Sequence, residues 1–99
     1  MNTNIFSTDS ILKQPGSPSA TLGELDGEID LQWDRVEGAS SYVIELSSSR
    51  QHTWKQIDIV SGSRYTVTDL ISNRKYNFRI AALNCNEQGP WSEVVEKKL

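Results

Sequence analysis

From about Ser19 to Lys97 the chain sets apolar against polar residues in short alternating runs, the period of strands, in which successive side chains point to opposite faces. The cleanest run is Tyr76-Asn77-Phe78-Arg79-Ile80-Ala81-Ala82: Tyr76, Phe78, Ile80 and Ala82 share one face, and Asn77, Arg79 and Ala81 the other. It predicts a central strand. Glu28 to Asp34 alternates as well, with Ile29, Leu31 and Trp33 inward after the turn pair Asp26-Gly27. Tyr42 to Leu46 repeats the pattern with Tyr42, Ile44 and Leu46. Weaker strands are expected at Ser19 to Leu25 on an edge, at Trp54 to Ile57, at Tyr65 to Thr68 and from Trp91 to about Lys97. Polar connections rich in Gly, Ser and Asn separate them, including residues 35–41 and 84–90. Turn signals at about eight- to twelve-residue spacing mark an all-β sandwich. Its expected core is Ile29, Leu31, Trp33, Tyr42, Ile44, Leu46, Tyr65, Val67, Leu70, Tyr76, Phe78, Ile80 and Ala82.

Residues 1–16 lack this pattern and run into Pro15-Gly16-Ser17-Pro18, a combination that stops helices and resists strand pairing. The reading is a flexible arm or linker over 1–16 and a domain over 17–99. Its competitor places Ile5, Phe6, Ile11 and Leu12 on one edge of a short amphipathic helix that docks on a partner.

Composition narrows the partners. In 99 residues there is room for one domain and one core. Ten basic against thirteen acidic residues give a net charge of −3 with no basic cluster beyond Lys97-Lys98, which argues against nucleic acid. No apolar stretch is long enough to span a bilayer, and the first residues lack the layout of a secretory signal, so a cytoplasmic protein or a fragment of a larger exported one is expected. Cys85, the only cysteine, has no internal partner, so the core must hold the fold. No Asn-x-Ser/Thr acceptor occurs.

Four segments in order resemble the fibronectin type III family: Gly27 to Asp34 with its Trp33, Gly38 to Glu45, Tyr65 to Leu70, and Tyr76 to Ala82. The resemblance runs from about Ser17 to Lys97. It implies a seven-stranded antiparallel immunoglobulin-like β-sandwich in which Leu70 and Tyr76 form a tyrosine corner, the ring filling the core end and the hydroxyl meeting an upstream backbone group. It also implies that residues 35–41, 59–63 and 84–90 share one end, the surface many relatives use for binding. Family members are mostly noncatalytic. The Arg-Gly-Asp tripeptide of integrin-binding members is absent from the last loop, and Trp91-Ser92-Glu93 matches only half of the cytokine-receptor Trp-Ser box. Gly89-Pro90-Trp91-Ser92 is similar to bacterial modules of the family.

No enzyme, metal or cofactor is expected. His52 reads as a solvated loop residue and Cys85 as an inert or incidentally oxidisable thiol, because the strands place them at opposite ends. Glu24, Asp26, Glu28 and Asp30 are dense, yet Glu28 and Asp30 alternate with core residues and form a solvated face rather than a calcium loop. Trp33 is a core residue. Trp91 is expected to stack across the Arg79 guanidinium. The candidate partner-binding residues are Glu37, Ala39, Asn84, Asn86, Glu87 and Gln88, beside Val36. The leading expectation is a module that binds an unidentified protein through these loops. A spacer or appendage is the second, and a carbohydrate-binding module using exposed Trp54 and Trp91 the third. A monomer or a weak edge-strand dimer fits all three.

Overall fold

The computed structural model describes residues 11–48, 53–85 and 87–99. Its eight strands are β1 (Ser19–Leu22), β2 (Ile29–Gln32), β3 (Ser41–Ser48), β4 (Lys55–Val60), β5 (Arg64–Val67), β6 (Lys75–Leu83), β7 (Gln88–Trp91) and β8 (Val95–Lys98). They form two antiparallel sheets, one ordered β1-β2-β5 and the other β4-β3-β6-β7, with β8 also paired to β6. The central strand is β6, as the alternation predicts.

The expected seventh strand is divided in two, and Ser92 shows why. Its N–H donates to the Ile80 carbonyl at 2.7 Å. Its hydroxyl accepts the Ile80 N–H at 3.0 Å and donates to the Glu93 carbonyl at 2.9 Å, so a side chain stands in for main chain where the ladder breaks. Strand pairing also reaches further upstream than the loop composition suggests: Gln88, Gly89 and Pro90 belong to β7. Pro90 is tolerated because β7 is an edge strand, where a missing N–H costs no ladder bond.

Cross-strand register brings the apolar alternation into one layer. Ile44 faces Ile80, Leu46 faces Phe78, Tyr42 faces Ala82 and, in the smaller sheet, Leu31 faces Tyr65. The buried core contains Ile29, Leu31, Trp33, Tyr42, Ile44, Val67, Tyr76, Phe78, Ile80 and Ala82, with Leu46, Tyr65 and Leu70 half-buried against it. Trp33 stands edge-on to Tyr42 with ring centroids 5.6 Å apart. Its indole N–H is buried with no hydrogen-bond partner among the described residues. Val43 and Ala81 point away from the core, yet both are buried beside their cross-strand neighbours Ile59 and Trp91.

One boundary moves. Leu12 is a buried member of the core cluster, Pro15 is fully buried, and the Gly16 carbonyl accepts the Asp34 N–H at 2.9 Å. Residues 11–16 are therefore an irregular strap packed on the sandwich, neither linker nor helix. Gly89 and Gly38 make its seat. A Cβ at Gly89 would lie 2.8 Å from the Leu12 Cβ, and one at Gly38 would lie 3.5 Å from the Leu12 Cδ2. Composition missed this because a single leucine in a polar, proline-bearing stretch carries no period. Residues 1–10, with Ile5 and Phe6, lie outside the described residues.

Candidate functional site

Strand direction decides which loops meet. Tyr42 pairs with Val60 on one side and Ala82 on the other, so the connections after β2, β4 and β6 emerge at one end of the sandwich. Backbone bonds tie them together: Trp33 N–H donates to the Ser63 carbonyl at 3.0 Å, and Ser40 N–H to the Leu83 carbonyl at 2.8 Å. Within the β2–β3 loop the Tyr42 hydroxyl accepts the Val36 N–H at 2.8 Å and Ala39 N–H donates to the Val36 carbonyl at 3.1 Å. Gly38 takes a φ of 87°, a conformation suited to glycine. The β6–β7 turn closes on itself. Asn84 N–H reaches the Glu87 carbonyl, and Glu87 N–H reaches the Asn84 Oδ1, both at 3.0 Å.

On the outer face of the larger sheet, β4 lies to one side of β3 and β6, and β7 to the other. The Arg79 guanidinium carbon sits 4.3 Å from the Trp54 ring centroid and 4.2 Å from that of Trp91. Glu45, directly across from Arg79 on β3, accepts from its Nε at 3.0 Å and its Nη2 at 2.6 Å. The Trp91 contact is the one read from the strand pattern. Trp54 joins it from just before β4, a contact the strand pattern does not show because that edge reaches Arg79 only across the intervening β3.

The fibronectin type III domain model matches residues 13–98. This chain belongs to that family. It is 35% identical over 89 residues to receptor-type tyrosine-protein phosphatase S of Gallus gallus, covering 87% of this chain and 6% of that protein. Over 87 residues it is 28% identical to the tail tube protein of Bacillus phage SPP1, covering 86% of this chain and 31% of that one. Among solved structures, a variant of FN3tt superposes with a TM-score of 0.80 at 26% identity, covering 90% of this chain and 97% of the other. The chain spans only a small part of the receptor phosphatase and about a third of the tail tube protein, so nothing of the phosphatase's catalysis follows for it.

In this fibronectin type III sandwich the opposite end carries the tyrosine corner geometry: the buried Tyr76 accepts the Ile71 N–H through its hydroxyl at 2.9 Å. Beside it, Leu70 N–H donates to the Gly27 carbonyl at 3.0 Å. The candidate binding residues divide by exposure. Glu37 and Gln88 are exposed; Ala39, Asn84 and Glu87 are half-buried, with Ala39 against the core and Asn84 occupied in shaping the turn. Asn86 and His52 lie outside the described residues. Leu12 and Gly89 were missed at this end, although the Gly before Pro90 marks a close backbone approach that could have been read.

Other reactive groups stay apart. Cys85 is exposed at the loop end. Glu28 Oε1 accepts the Leu25 N–H at 3.3 Å, and Asp30 Oδ1 accepts the Thr66 hydroxyl at 2.7 Å, so two of the clustered carboxylates serve local structure at the far end and on the smaller sheet. Tyr65 lies on β5 of the smaller sheet and Asp58 on β4 of the larger one. The Tyr65 hydroxyl is held above the ordinary tyrosine pKa by burial, then by a hydrogen bond to Asp58 and by the negative charge of that carboxylate.

Proposed function

We propose that this chain is a noncatalytic fibronectin type III module that binds a protein partner through the end formed by residues 35–41, 59–63 and 84–90. One observation carries the reading: three loops meet there, the β2–β3 connection bonded to Ser63, to Leu83 at the end of β6 and to Tyr42, and the β6–β7 turn closed on itself, while Glu37 and Gln88 stay exposed. A surface held in one conformation loses little entropy on binding, which is what an interaction module needs. The carbohydrate reading asks for free indole faces, and Arg79 takes one face of both Trp54 and Trp91.

The spacer or appendage reading has its own support in the similarity to a phage tail tube protein. A quantitative pull-down from source-cell lysate separates the two, comparing the intact chain with one in which Glu37, Glu87 and Gln88 are replaced by Gly or Ser and which is shown to fold. A specific protein held by the first and lost about tenfold or more by the second is expected, the effect of removing a contact surface rather than one rim charge. No specific protein captured by either would transfer the assignment to the appendage.

A further inference from the structure

Beside the loops, the strap and the β2–β3 loop enclose a groove of about 490 Å³, lined by Ile11, Lys13, Gln14, Arg35, Val36 and Glu37. We propose that this groove takes an extended acidic segment of a protein partner, with one apolar side chain set against Ile11 and Val36 and carboxylates meeting Lys13 and Arg35. The inference rests on the loop-end reading above and specifies the partner's chemistry.

Both walls are fixed. The strap is anchored by the buried Leu12 and Pro15 and by the Gly16 carbonyl, the loop by the Tyr42 hydroxyl on Val36 N–H. The charge is locally reversed: the chain carries −3 overall, whereas the groove holds two cations against Glu37. Neither Lys13 nor Arg35 makes an ion pair among the described residues, so both can answer an incoming carboxylate. Ile11 is 68% exposed at the rim, an apolar surface in place for a side chain. The strap's backbone also points to a peptide over a small acid. The main-chain groups of Ile11, Lys13 and Gln14 have no hydrogen-bond partner among the described residues and can pair with an extended chain, until Pro15 interrupts the row of donors. Two cations are too few to hold a nucleic-acid backbone.

The test titrates the ¹⁵N-labelled full chain with a soluble peptide alternating leucine and glutamate, and with peptides carrying lysine or glutamine in place of glutamate. Saturable shifts at Lys13, Gln14, Arg35 and Val36 are expected for the glutamate peptide, weakened about tenfold in the K13E/R35E double variant, as like charges replace complementary ones. Equal binding of the lysine peptide, shifts centred elsewhere, or no saturable shift would overturn the groove. The pull-down keeps the two readings separable. If K13E/R35E retains a captured protein that replacement of Glu87 and Gln88 loses, the groove is wrong and the loop-end reading stands.

Discussion

Each end of the sandwich is closed by a buried tyrosine whose hydroxyl accepts a backbone N–H, Tyr76 from Ile71 at 2.9 Å and Tyr42 from Val36 at 2.8 Å. Beyond that likeness they are built differently. At the Tyr76 end main chain meets main chain: Leu70 with Gly27, Asn73 N–H with the Leu99 carbonyl, and Leu99 N–H with the Arg74 carbonyl. At the Tyr42 end, loop-to-loop bonds are joined by a strap that fills space with Leu12 and makes no hydrogen bond before Gly16 among the described residues. A hydrogen-bonded end depends on backbone geometry and leaves little room for variation. An end plugged by a side chain depends on volume, which frees the surrounding polar positions for recognition.

The largest expected effect strikes the plugged end. Leu12→Ala removes a buried side chain seated on Gly89 and Gly38 and should cost about 2 to 4 kcal/mol in a denaturant titration. A loss within about 0.5 kcal/mol, the range of an ordinary surface substitution, would return the strap to the status of a linker.

The tyrosines come next and test the likeness itself. Tyr76→Phe and Tyr42→Phe each leave a backbone N–H without its acceptor and should each lower stability by about 1 to 3 kcal/mol. Hydrogen exchange should then part them: Tyr42→Phe speeds exchange of the Val36 amide and leaves Ile71 protected, and Tyr76→Phe does the reverse. An unchanged midpoint for Tyr76→Phe would contradict the corner.

The smallest effect belongs to neither end. Glu45→Gln takes the carboxylate from a pair whose side chains are 19% and 24% exposed, Arg79 keeping both indoles. A loss of about 0.5 to 1 kcal/mol that shrinks in high salt is expected. A larger, salt-independent loss would mean that Glu45 positions Arg79 between Trp54 and Trp91.

Much of this was legible in advance, for reasons particular residues make plain. Ile29, Leu31, Tyr42, Ile44, Phe78 and Ile80 are buried where alternation puts them, because a strand has only two faces and the core takes one. The gathering of residues 35–41, 59–63 and 84–90 at one end was implied by the family resemblance, and the antiparallel pairing of β3 with β4 and β6 accounts for it. The division of the last strand did not show, since it turns on a hydroxyl of Ser92 that looks like any loop serine until Ile80 lies opposite. Within the candidate site, the exposure of Glu37 could be read from composition. The service of Asn84 to its own turn, and the presence of Lys13 beside Arg35, could not.

The all-β class, the inward faces and most strand positions were therefore legible in the chain, because they depend on a period of two and on neighbours a few residues apart, while the tyrosine corner came with the family resemblance. Tertiary structure alone makes Leu12 part of the core, brings Trp54 to Arg79 beside the expected Trp91, and sets the strap and the β2–β3 loop around one groove. Each of these joins residues far apart in the chain, and only packing brings them within contact distance.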